Sequence, residues 1–221
     1  MTKYPTNLEY LLKLNQCRQD KDLQKVEYEL CRRNPTYWLN NFVLTLNSKD
    51  TVNPIQRWPD LEYLREITKI WLRERLLLIP KSRQMMLTWL MVALYLHNAQ
   101  FTDGRLIFFQ SKKEEDAFAL IERAWFIYEH QPEWLKRPAT HTKAEIYFPK
   151  HYSKIRGVPQ GADQIRSYTS SGILIDEAAF QPEVENAYTA LKPSIDGGGG
   201  SVTMVSSADP GFFERMVHDV K

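Results

Sequence analysis

Apolar positions recur at helical spacing near the start of the chain. Leu8, Leu11, Leu12 and Leu14, then Leu23, Val26 and Leu30, stand mostly three and four apart among charges, which predicts helix over residues 7–34. Asn34-Pro35 ends that stretch, because the residue before a proline is pushed out of the helical region. Residues 36–46 (TYWLNNFVLTL) are apolar and aromatic and fit either a helix or a buried strand. After the polar segment Asn47 to Asn53, and Pro54, a second amphipathic helix is predicted over 60–74, with Leu61, Leu64, Ile67, Ile70 and Trp71 on one face.

From residue 76 onward the pattern changes to short, continuously apolar runs. Leu76 to Ile79 (ending at Pro80), Arg105 to Gln110, Gly172 to Ile175 and Val202 to Val205 read as buried strands. An apolar helix is predicted from about Thr88 to His97, and another over 113–130, with Ala117, Leu120, Ile121, Ala124 and Ile127 on one face. Glu145 to Phe148 and Tyr152 to Ile155 predict a hairpin around Pro149-Lys150-His151, and Gly197 to Gly200 predicts a surface loop. Continuous apolar strands alternating with helices predict an α/β fold, a mostly parallel sheet with helices on both faces.

Composition narrows the class. Of 221 residues, 43% are hydrophobic and 25% charged, the balance of a soluble globular chain. The net charge of +2 is too small to imply a nucleic-acid partner, so any basic face has to be local. Cys17 and Cys31 form neither a disulfide framework nor a zinc pattern, and a reducing cytoplasm is expected. No apolar run approaches the ~20 residues that cross a bilayer. The opening MTKYPTNLEY lacks a signal core, so neither a membrane nor secretion is expected.

Candidate chemistry begins after the strand at 76–79. The phosphate loop of NTPases, G-x-x-x-x-G-K-[ST], joins a strand to a helix. On that frame Lys81 takes the first glycine's place, Met86 the second, Leu87 the lysine and Thr88 the Ser/Thr, so three of the four fixed positions differ. The cradle itself is made of backbone N–H groups at a helix N-terminus, which residues 82–88 (Ser82, Arg83, Gln84, Met85, Met86, Leu87, Thr88) can supply. Lys81 or Arg83 can bring the cation, and Thr88 keeps the hydroxyl a magnesium ion needs. An ordinary basic strand–helix turn is the competing reading. A second piece is Ile173-Leu174-Ile175-Asp176-Glu177, a buried strand ending in two acids, one for a metal shell and one to polarise an attacking water. Ser206 and Ser207 end the next strand, where small hydroxyls either sense a phosphate or merely form a turn. Gln56 carries one amide donor group and one acceptor, matching the N6 and N7 edge of adenine, unless it is a solvated loop residue.

Together these pieces resemble the large terminase subunit of tailed bacteriophages, the motor that pumps DNA into empty capsids, over roughly residues 40–215. Pro54-Ile55-Gln56 resembles the adenine motif, KSRQMMLT (81–88) the variant phosphate loop, RLIFFQSKKEEDA (105–117) the strand and helix that follow, IRSYTSSGILIDEAAF (165–180) the acidic strand, and Ser206-Ser207-Ala208 the coupling motif. Departures are Met86-Leu87 in place of Gly-Lys, and Ser167 where a glycine is common. The resemblance implies a P-loop NTPase of the additional-strand catalytic-glutamate (ASCE) type, with an N-terminal helical segment or lid over 1–48 and the ATPase domain over 49–221. It implies ATP and Mg2+ as cofactors, Lys81 on the phosphates, Thr88 and Asp176 on the metal, Glu177 on the water, and Ser206 and Ser207 in coupling. Either Arg83 in cis or Arg166, 11 residues before Glu177, in trans offsets the transition-state charge. It also implies double-stranded DNA, a homo-oligomeric ring, a portal protein and a small terminase subunit as partners, in the host cell cytoplasm. The basic candidates for DNA are Lys112-Lys113, Lys136-Arg137 and Lys150 to Arg156. The family's nuclease domain has no counterpart before Lys221, so no nuclease activity is expected. Two other readings are a nucleotide-binding scaffold without turnover and a helicase-like translocase outside packaging.

Overall fold

The structure, a computed structural model, describes residues 8–161, 169–197 and 199–219. The first helical stretch is two helices, α1 (Leu8–Gln19) and α2 (Lys21–Arg33). Asp20 is extended between them and its carboxylate accepts from the N–H groups of Asp22 and Leu23, which starts α2 afresh. Asn34 caps α3 (Pro35–Phe42) in the same way, accepting from Tyr37 N–H, with Pro35 at the first helical position. Residues 36–46 are thus helix and then strand. Strand β1 (Leu44–Leu46) pairs antiparallel with β2 (Ile55–Arg57), and α4 (Glu62–Arg73) follows.

The main sheet has seven strands. In chain order the elements are β3 (Leu76–Pro80), α5 (Leu87–Phe101), β4 (Leu106–Ser111), α6 (Glu114–Glu129), β5 (Thr140–His141), β6 (Glu145–Phe148), β7 (Ser153–Pro159), β8 (Gly172–Asp176), α7 (Val184–Asp196), β9 (Ser201–Ser206) and α8 (Phe212–Asp219). The spatial order is β3-β9-β8-β4-β7-β6-β5. The pairs from β3 through to β7 are parallel, and the hairpin read at 145–155 adds β6, then β5, antiparallel at one edge.

Successive residues of a strand face opposite sides, so each central strand feeds two cores. Leu174 and Phe109 join the core under α5, with Leu90, Leu94 and Ile121, while Ile173, Ile175, Phe108 and Met204 face α7 and α8 with Val184, Leu191 and Phe213. Helix α5 is apolar all round because it lies between the sheet and the N-terminal helices: Trp38, Leu39 and Phe42 of α3 share its core. Its His97 donates from Nε2 to the carbonyl of Cys31 at 2.7 Å, and Gln100 and Gln131 exchange amide hydrogen bonds of 3.0 Å each. The β1–β2 pairing spans residue 48, and Trp38, Leu39 and Phe42 of α3 share a core with α5. Among the described residues no helix is long and apolar enough to cross a membrane, and Cys17 and Cys31 are free and buried.

Candidate active site

Parallel strands point their C-terminal ends the same way, and the loops there carry the chemistry. Pro80, at the end of β3, is level with Ser206 of β9, and Asp176 of β8 is level with Val205. The loop 81–86 leaves β3, anchored by Lys81 N–H donating to the carbonyl of Ser206 at 2.8 Å, and Leu87 starts α5. The helix therefore begins at Leu87, the position aligned with a phosphate loop's lysine. Met86, before the helix, is left-handed (φ 58°), the conformation that a glycine adopts without strain.

Two contacts close the site across the sheet. Thr88 Oγ1 donates to Asp176 Oδ1 at 2.9 Å, and Lys81 Nζ donates to Glu177 Oε1 at 2.7 Å. The other Glu177 oxygen accepts from Ser207 Oγ at 3.2 Å and from Ser207 N–H at 3.4 Å. Ser206 Oγ accepts from Ala179 N–H at 3.0 Å, tying the end of β9 to the turn after the two acids. These partners give the carboxyls opposite characters. Burial raises the pKa of Asp176 against the pull of Thr88 and Lys81. For Glu177 burial also pushes upward, but the Lys81 hydrogen bond and charge and the Ser207 donors outweigh it and hold the carboxyl below its ordinary value.

A cavity of about 910 Å³ opens above these residues. Its floor is Lys81, residues 84–88, Asp176 and Glu177. One wall is the β1–β2 hairpin with Gln56, another is α6 with Asp116 and Arg123, and Tyr63 of α4 stands beside the loop. Gln56 donates both amide hydrogens within its own turn, to Asp50 Oδ2 at 3.0 Å and to the Asn53 carbonyl at 3.3 Å. Both partners are pure acceptors, so the orientation of the amide is determined and Oε1 is the atom left for a ligand. Reading both N6 and N7 of adenine, as expected from the sequence, conflicts with this arrangement; reading an exocyclic amine does not.

Ser82 and Arg83 are exposed and do not line the cavity, and Arg166 lies outside the described residues. Three residues were not singled out from the sequence. Tyr63 donates to the carbonyl of Met85 at 3.0 Å and props a loop that has no glycine; such a long-range contact leaves no local pattern. Asp50 orients Gln56. Arg123 was hidden beside the apolar face of α6, although 116, 119 and 123 share a helical face.

The donor set fits a magnesium ion held partly by a nucleotide. Thr88 and Asp176 offer oxygen only, and among the described residues no cluster of three or more His, Cys, Asp or Glu could build an all-protein metal cage.

No protein-family model and no curated protein matches the chain. Solved structures do. The large terminase of bacteriophage HK97 superposes with a TM-score of 0.61 at 10% identity, over 80% of this chain and 37% of that one. A mutant of the large terminase ATPase domain of Thermus phage P74-26 gives 0.58 at 13% identity, over 71% and 68%. The large terminase of another thermophilic bacteriophage gives 0.52 at 14%, over 67% and 39%. The chain therefore has the fold of phage large terminase ATPase domains, and it spans less than two fifths of the length of the two whole large terminases.

Proposed function

We propose that this chain is the ATPase part of a phage DNA-packaging motor, hydrolysing ATP to drive double-stranded DNA into procapsids. The observation that carries the reading is the pairing of Lys81 with Glu177 and of Thr88 with Asp176, across 96 and 88 residues of chain, at the floor of one cavity on a terminase-type sheet. Thr88 and Asp176 would hold magnesium, which when bound screens phosphate charge and orients the nucleotide. The amides of residues 84–88, which line the cavity, face the phosphates, and Gln56 Oε1 accepts from the N6 amine of adenine, an atom pair that the O6 acceptor of guanine spoils. Glu177 takes a proton from water as the water oxygen attacks the γ-phosphorus. The bond to the β–γ bridging oxygen breaks, its electron pair leaves on ADP, and phosphate is released.

The resting pairs also imply an order of events. Lys81 has to leave Glu177 to meet the phosphates, which frees the carboxylate for water, while Ser207 still holds its second oxygen. Ser206 and Ser207 thereby connect the state of Glu177 to β9 and form the coupling element. By resemblance the working form is a ring on a portal protein, fed by a small terminase subunit in the host cytoplasm, with Arg166 reaching a neighbour's site.

The test is nucleotide titration and turnover of Glu177→Gln. The variant should bind Mg-ATP at least as tightly as wild type, since Lys81 is released from its ion pair. Its hydrolysis should fall on the order of a hundredfold or more, because the amide cannot take the proton. A wild-type protein that binds Mg-ATP but never hydrolyses it, with or without DNA, would favour the scaffold reading, and one that binds no nucleotide would end both.

A further inference from the structure

We propose that Arg123 is a further catalytic residue of this cavity, a cation supplied in cis from α6 to the terminal phosphate of a nucleoside triphosphate, opposite the phosphate loop. The proposal rests on the ATPase reading of the same site.

Three observations converge on it. Helix α6 divides its faces: Ala117, Leu120, Ile121 and Ala124 are buried in the core, while Asp116, Ala119 and Arg123 line the cavity. Arg123 is half-buried yet makes no hydrogen bond and no ion pair among the described residues. Asp116 stands two turns away, about 10 Å along the axis at ~1.5 Å per residue, and does not pair with it. An arginine that is partly withdrawn from water without a partner is available to an anionic ligand. Finally, Thr88, Asp176 and Glu177 line the same cavity as Arg123, so the guanidinium shares one space with the residues assigned to the metal and the water.

The other cations are less suitable. Lys81 serves the loop side of the phosphates, Arg83 does not line the cavity, Arg57 is already bound to the Asn40 carbonyl at 2.7 Å, and Lys49 and Lys112 stand exposed in water. A guanidinium stays charged at any working pH and can grip two phosphoryl oxygens at once. As the water oxygen bonds to the γ-phosphorus and the bridging bond breaks, negative charge spreads over the three equatorial oxygens. Arg123 meets that charge from the α6 side while Lys81 meets it from the loop, and the proton passes to Glu177.

Arg123→Ala and Arg123→Lys, compared with wild type by calorimetric titration with Mg-ADP and with Mg-bound adenylyl imidodiphosphate, test this. Arg123→Ala should keep ADP affinity within about twofold and lose about tenfold or more of the preference for the triphosphate, since only the triphosphate reaches the guanidinium. Turnover should fall on the order of a hundredfold or more, and Arg123→Lys should recover part of the triphosphate preference but little of the rate. An unchanged triphosphate-to-diphosphate ratio in a folded Arg123→Ala protein overturns the assignment while leaving the ATPase reading intact. If wild type binds neither nucleotide, both fall.

Discussion

Gln84, Met86 and Glu177 are three of the four non-glycine residues with positive φ among those described, at 66°, 58° and 50°, and all three line the cavity. Each costs about 1–2 kcal/mol relative to an ordinary conformation, so strain is concentrated where the backbone has to present its N–H groups and turn a carboxylate off the end of a strand. Away from the cavity, His97 is a single residue with a measurable effect on stability. Its ring is buried against Trp38 and Phe101, with Nε2 donating to the Cys31 carbonyl, and burial lowers its pKa from 6.5 to about 4. The unfolded chain therefore binds a proton between pH 6.5 and 4 that the folded chain refuses. The contribution of neutral His97 is present above pH 6.5 and is lost as the pH falls towards 4, by up to about 3 kcal/mol over the window. Urea unfolding at pH 7.5, 6 and 5 should show this fall in wild type and a flatter dependence in His97→Gln. Parallel pH profiles for the two proteins would contradict it.

Between elements, the fit of α5 to the sheet sets the distance between Thr88 at its start and Asp176 at the end of β8. Tyr95 is the key. Its hydroxyl lies 3.0 Å from the carbonyl of Ile173 on β8 and 3.1 Å from Thr203 Oγ1 on β9, and its ring packs edge-on against Trp71 and Phe109. Gly172 at the start of β8 makes room for it: a Cβ there would sit 2.5 Å from Tyr95 Cε1. Gly172→Ala should therefore push α5 from β8, cost about 1–3 kcal/mol in thermal or urea unfolding, and weaken Mg-ATP binding. A variant as stable as wild type would show that the ring moves freely. This fit explains what was and was not legible in the sequence. Strands β4, β8 and β9 announced themselves because both their faces are buried, and β3 because its leucines pack on both cores; Asp176, Glu177 and Lys81 sat at strand ends, and Thr88 at the start of α5. The break at Asp20, the change from helix to strand near Val43, and the roles of Tyr63 and Arg123 depend on caps and on contacts between distant segments, which hydrophobic spacing does not record.

Across the whole molecule, a net charge of +2 conceals an uneven distribution of free cations. Several basic residues first considered for DNA contact are already committed. Lys136 pairs with Glu133 at 2.7 Å, Arg137 with Asp103 at 3.2 Å, and both Lys154 and Arg156 with Glu145. Lys112, Lys113, Lys143 and Lys150 are exposed and form no ion pair among the described residues. Topology separates these four. Lys112 and Lys113 follow β4 at the cavity end of the sheet. Lys143 joins them there, because the adjacent Ala144 carbonyl accepts from Gly157 N–H near the end of β7. Lys150 lies between β6 and the start of β7, at the opposite end. A duplex driven by nucleotide turnover would touch the end where the loops respond to the nucleotide, so Lys113 and Lys143 should carry phosphate contacts and Lys150 should not. Each contact displaces a condensed counterion, worth about 0.9 in the slope of log affinity against log salt. Lys113→Glu with Lys143→Glu should therefore lower that slope by about 2 in fluorescence-anisotropy titrations with duplex DNA and weaken binding equally for unrelated sequences, as phosphate contacts do. Lys150→Glu should leave the slope unchanged. An equal loss from Lys150→Glu, or an unchanged slope in the double variant, would place the duplex on another face of the sheet.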